Sequence, residues 1–248
     1  MTEQQWQVFC NFKSELKQKI DSWTAFAPEL PALQKEAAEL ADTPAYPFEI
    51  PVVYNKALDD VTPEDDIKLI VIGDNPGKDE QRAKNSRYLV GQAGKIAEGY
   101  FKKNPELGID FRRNVIILNK TPVHSAKTAQ LKTISRKGGE KISSLIQESQ
   151  IWMAQKTAAL HNALGTELWL VGYSELRAKG IFSAYRDTLK ESCTAEAWNR
   201  VYVFQHFSMN RFTIDLADYI KNNSKSGAAK SLSQNIHELG ILHRDEIF

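Results

Sequence analysis

Four short apolar runs constrain this chain most: IKLIVI (67–72), NVIILN (114–119), ELWLV (167–171) and VYVFQ (201–205). They are rich in Val, Ile and Leu and show little polar alternation, as strands buried on both faces do. The stretches 91–104, 139–164 and 174–190 carry helix-compatible periodicity. Strands alternating with helices predict an α/β fold, a three-layer sandwich with a central, mainly parallel four-stranded sheet and helices on both faces. Upstream, Trp6, Phe9, Phe12, Leu16 and Ile20, then Leu30, Leu33, Ala37 and Leu40, recur near helical spacing, interrupted by Pro28 and Pro31. This predicts an N-terminal helical cap of two helices within 1–45. TPAYPFEIPVV (43–53) reads as an extended connection, SRKGGEKISS (135–144) as a loop leading into a helix, and NNSKSGAAKSLSQ (222–234) as a flexible polar stretch. The end of the chain, within 222–248, reads as a tail packing back through Leu239, Ile241, Leu242 and Ile247. With 248 residues, 42% of them apolar, a single domain over 1–248 is expected.

Charge is nearly balanced, with 32 Lys and Arg against 31 Asp and Glu. No global basic field advertises nucleic acid, so any such contact must come from local patches. Cys10 and Cys193 cannot alone complete a four-thiolate zinc or iron–sulfur site. Neither cofactor nor metal is expected. The amphipathic, charged start MTEQQWQVFCNFKSELKQKI has no signal-peptide core and no membrane-spanning run, so a cytoplasmic protein without a membrane partner is expected.

Ligands of parallel sheets bind beyond the carboxyl ends of the strands, where the loops converge. There this chain places Gly73-Asp74-Asn75-Pro76-Gly77, then Asn119-Lys120-Thr121-Pro122, then Gly172-Tyr173-Ser174, and finally His206 through Arg211. Gly, Pro and Asn after a strand usually just make a turn. Several side chains able to bind or activate something, gathered on one rim, are harder to assign to turns alone. Other loop chemistries fail on the letters. GQAGKIA (91–97) lacks the spacing and the hydroxyl of a Walker loop, the 73–77 turn lacks the dinucleotide fingerprint, and no G-x-S-x-G elbow is present.

The rim motifs resemble the uracil-DNA glycosylase superfamily. LIVIGDNPGKDEQ followed by YLVGQAGKIAEGYF is similar to the first motif and helix of its thermophilic iron–sulfur type, here without the cluster. The Asn of G-D-N-P-G resembles the mismatch-specific and single-strand-selective types. IILNKTP (116–122) resembles the base-reading strand and HFSMNRF (206–212) the closing motif, so that the resemblance spans roughly residues 67 to 212 in the family's order. It implies hydrolysis of the N-glycosidic bond of uracil, or a related damaged base, in DNA, with the base flipped out of the stack. By that resemblance Asn75 positions the attacking water, Asp74 is its rival as general base, and His206 stabilises the departing anion. Asn119 reads the base edge, Gly73, Pro76 and Gly77 shape its approach, and Tyr88 or Leu89 supplies the stacking wall. Ser208, Met209, Asn210 and Arg211 press the DNA and wedge into the gap, and Lys120 contacts phosphate, with Lys84, Arg87, Lys127, Lys132, Arg136 and Lys137 as further cations. Phe207 stands where that family has a proline, removing a stiffener from the turn. The partner implied is DNA carrying uracil or a damaged base, met by a monomer. The alternative is a non-catalytic nucleic-acid or nucleotide-binding member of the same fold, and a small-molecule hydrolase stands third.

Overall fold

Strands β1 (Leu69–Gly73), β2 (Val115–Asn119), β3 (Glu167–Val171) and β4 (Val201–Phe204) form one all-parallel sheet in the order β2-β1-β3-β4. The computed structural model describes residues 1–223 and 230–248. Side chains alternate faces along a strand, and both faces are apolar. Ile70, Ile72, Ile116, Leu118, Leu168, Leu170 and Val203 enter one core, while Leu69, Val71, Val115, Ile117, Trp169, Val171 and Phe204 enter the other. That double burial is why the runs read as unbroken hydrophobic stretches.

The first core is covered by α1 (Glu3–Phe26), α2 (Leu30–Leu40), α4 (Gln130–Lys137), α5 (Gly139–Leu164) and α6 (Ser183–Ser192). The second is covered by α3 (Gln92–Lys103), α8 (Arg211–Asn223) and α9 (Leu232–Ile247), and the four-residue α7 (Ala195–Trp198) leads into β4. The three-layer architecture and the N-terminal pair of helices are those expected. Thr2 caps α1 in a reciprocal capping box with Gln5, and Pro31 occupies the first turn of α2, where its missing N–H costs nothing.

Three local readings change. Residues 135–137 complete α4 and α5 begins at Gly139, so SRKGGEKISS is a helix–helix junction rather than a loop. Asn222 and Asn223 end α8, while Ser231 caps α9 with Gln234, so both ends of the stretch 222–234 are helical; residues 224–229 lie outside the described residues. Leu239 and Ile247 are buried in the tail, as expected, whereas Ile241 and Leu242 are exposed. Among the described residues no helix is long and apolar enough to cross a membrane.

Candidate active site

The chain runs from β1 outward to β2 and then crosses back to β3 on the other side of β1. Connections therefore diverge above β1 and β3, which opens a crevice at their carboxyl ends. A cleft of about 870 Å³ lies there, lined from all four strand ends by residues that include Asp74, Asn75, Asn119, Gly172 and His206.

Beneath it lies a buried ion pair. Lys120 is wholly inaccessible, and its ammonium donates to Asp74 Oδ1 (2.5 Å) and to the Val171 carbonyl (2.6 Å). Thr128 Oγ1 donates to the second Asp74 oxygen at 3.1 Å. Burial pulls the Lys120 amine below its usual pKa, against the attraction of Asp74. Gly172, at φ +84°, lies so close that a β-carbon there would sit 2.5 Å from Asp74 Oδ1. One expectation changes here: Lys120 cannot contact a DNA phosphate, because it is wholly buried and bonded inside the protein, while Asp74 accepts one hydrogen bond on each oxygen and still lines the cleft.

Asn75 is oriented by its amide nitrogen, which donates to the Ser125 carbonyl (3.1 Å), to Ser125 Oγ (2.9 Å) and to the Pro76 carbonyl (3.2 Å). Ser125 Oγ donates onward to the Lys127 carbonyl at 2.9 Å, so toward Asn75 it accepts. Asn75 Oδ1 is thereby left as an acceptor with no partner among the described residues, on a side chain that lines the cleft. The loop is braced from behind by His124, whose Nδ1 donates to the Pro76 carbonyl (2.8 Å) while Nε2 accepts from Tyr46 (2.9 Å). Burial pushes His124 down to about 4, which keeps it neutral at neutral pH. Pro76 is buried and its carbonyl anchors the turn, so it shapes the cleft without lining it.

His206 is oriented with equal definition. The Ser208 backbone N–H donates to His206 Nδ1 at 3.1 Å, and Ser208 Oγ lies 2.8 Å from the same nitrogen. A ring nitrogen that accepts from a backbone N–H carries no proton, so these hydrogen bonds assign the neutral tautomer with its proton on Nε2. Burial, opposed by the Asp74 carboxylate and reinforced by the Lys120 ammonium, holds the ring below its usual pKa. Nε2–H is a donor without a partner among the described residues. Phe207, in place of a turn-stiffening proline, is fully buried against Phe111 and Phe212, and this packing anchors the turn.

Asn119 closes the deep end. It is 1% exposed, its Nδ2 has no hydrogen-bond partner among the described residues, and a β-carbon on Gly73 would strike its Oδ1 at 2.5 Å. Gly73 thus makes room for the Asn119 amide rather than facing the cleft, whereas a β-carbon on Gly77 would meet nothing within 4 Å. Leaving a buried amide unpaired costs about 1–3 kcal/mol, a cost that a bound acceptor would remove.

Of the two stacking candidates, Leu89 lines the cleft, at φ 49°. Tyr88 points away: its ring joins the second core and its hydroxyl donates to the Val53 carbonyl at 2.6 Å. No Phe, Tyr or Trp is among the described residues lining the cleft. At the outer rim, Met209 is 71% exposed and, like Asn210, has positive φ; Arg211 is exposed beside them and opens α8. Ser208, Met209 and Arg211 line the cleft and Asn210 does not. Of the six further cations, only Lys127 lines it; Arg87, Lys132 and Lys137 pair with Asp60, Glu175 and Glu36.

The sequence reading missed Ser125, His124 and Glu80. His124 and Ser125 follow the IILNKTP stretch after Val123, and that nearness was their signal. Glu80 is a buried acid on the cleft wall, three residues past Gly77, and burial pushes it up to about 7. Comparison with protein-family models, with curated proteins and with solved structures finds no match.

Proposed function

We propose that this chain is a monofunctional DNA glycosylase that hydrolyses the bond between uracil, or a related damaged base, and its deoxyribose. One observation carries the reading: a single cleft receives an open acceptor, Asn75 Oδ1, and an open neutral donor, His206 Nε2–H, each fixed by hydrogen bonds on its other side. The order of the rim motifs supports the same reading. Breaking a base–sugar bond leaves a cation-like sugar and a base anion, and needs one group to hold water and another to meet the anion. Asn75 Oδ1 accepts from a water aligned on C1′. The water oxygen bonds to C1′ as the C1′–N1 bond breaks, its electron pair leaves with the base, and the water's spare proton passes to solvent. His206 Nε2–H donates to the base oxygen on which charge collects. Asn119 Nδ2 donates to O4 and its Oδ1 accepts from N3–H, a pattern that cytosine reverses.

In this reading the partner is uracil-containing DNA, the chain acts as a cytoplasmic monomer, and Met209 is the apolar wedge that fills the gap left by the flipped base. Incubation with labelled single- and double-stranded oligonucleotides carrying one uracil, followed by alkali, tests it. Cleavage is expected from the wild type and not from Asn75→Ala or His206→Ala. The lack of a Phe, Tyr or Trp among the described lining residues and the pairing of Asp74 with Lys120 favour a second reading, a binder without catalysis. That reading predicts uracil-oligonucleotide binding that falls steeply with salt, and no cleavage.

A further inference from the structure

The cleft is lined by two different parts of the chain, the 74–77 loop and the turn at Leu89, and one buried side chain lies close to both. Glu80 Oε2 accepts from the Gly77 N–H at 3.1 Å, and the Leu89 backbone N–H lies near enough to the carboxylate to favour its ionised form. Leu89 is held in a left-handed conformation rare for a branched residue, and its other end is pinned as well. Arg112 Nη2 donates to the Leu89 carbonyl at 2.8 Å, and that oxygen lies so close to Gly94 that any β-carbon there would overlap it. Glu80, Gly77 and Leu89 all line the cleft, and Asn75 is two residues from Gly77.

We propose that Glu80 is a positioning residue whose ionised carboxylate ties the water-holding loop to the Leu89 wall, and so sets where a bound base lies relative to Asn75. Backbone N–H groups bond a carboxylate about twice as strongly as a neutral carboxyl, so the tie tightens when Glu80 loses its proton. The charged groups facing it are Asp79 beside it, which disfavours the ionised form, and Arg112 across the turn, which favours it; Tyr88 also lies within its field. Burial outweighs Arg112 and moves the titration of Glu80 to about 7, so the tie loosens in mildly acidic conditions. His206 is shifted the other way, below its usual value, and leaves a separate signature at lower pH.

The catalytic consequence rests on the glycosylase reading, whereas the tie itself does not, and the test separates them. Amide hydrogen-exchange protection factors at Gly77 and Leu89 are measured from about pH 5 to about pH 9 in the wild type and in Glu80→Gln, a neutral isostere, alongside steady-state excision from a uracil oligonucleotide. Wild-type protection at both amides is expected to rise together by about tenfold through neutral pH, with KM falling over the same range, and Glu80→Gln to flatten both profiles. Protection that does not change near pH 7 in the wild type, or a Glu80→Gln profile that matches it, overturns the proposal. A wild type that excises nothing at any pH overturns the glycosylase reading, and the tie is then judged on the two amides alone.

Discussion

The floor and the rim of the cleft are both polar, yet they solve opposite problems. On the floor every charge is spent: Lys120 bonds Asp74 and Val171, and Asp74 takes Thr128 as well. On the rim, Asn75 and His206 each use one polar atom for anchorage and keep the other free. A fully paired buried network stiffens a site, and only an unpaired group can give a substrate a hydrogen bond it does not already own. The comparison therefore assigns stability to the floor and the open hydrogen-bonding groups to the rim.

The largest expected effect breaks the floor. Lys120→Met strands Asp74 as an uncompensated, largely buried charge and is expected to cost about 3–5 kcal/mol in urea unfolding. Replacing Asp74 by Asn in the same protein should recover most of that loss, because two neutral groups need no pairing. A loss well under 1 kcal/mol for Lys120→Met would mean that the pair does not hold the floor. At the rim, the glycosylase reading expects His206→Ala to lower the excision rate constant by about a hundredfold to a thousandfold, as loss of a transition-state donor does, while the unfolding midpoint barely moves. Equal losses of stability and rate would erase the distinction between the two regions.

Glu80 gives a smaller effect with a definite sign. Its folded pKa is raised from 4.5 to about 7, so the folded state holds the proton more tightly than the unfolded chain. Its contribution is complete below pH 4.5 and is lost as pH rises toward 7, by roughly 3 kcal/mol in all. The difference in unfolding free energy between wild type and Glu80→Gln, followed against pH, should show that fall. Global stability thus declines over the range in which the local tie tightens, because desolvating the charge costs more than the backbone N–H groups around it return. The smallest effect sharpens the rim: Ser208→Ala is expected to reduce excision only severalfold, since the Ser208 backbone N–H still fixes His206 Nδ1.

The cleft's location was legible in the letters because strands buried on both faces leave an unmistakable run and glycine–proline turns mark their ends. Asn75, Asn119 and His206 were found because each stands at the end of one of those runs or just past it. Lys120 was misread because a lysine just past a strand end is normally solvated, and only Asp74 and Val171, from neighbouring strands, make its burial possible. The choice between Tyr88 and Leu89 was open for a similar reason. Neighbours in sequence point in different directions, and the left-handed turn at Leu89, whose carbonyl is bonded by Arg112 and packed against Gly94, decided which faces the cleft.

By itself, then, the sequence determined the parallel sheet, its two apolar faces and the rim where polar residues gather, because periodicity and turn chemistry act between residues a few positions apart. Only the tertiary structure decided which polar groups on that rim are committed and which are open. That depends on partners such as Asp74 and Lys120, or Asn75 and Ser125, separated by 46 and 50 positions in the chain, and no local pattern records such a pairing.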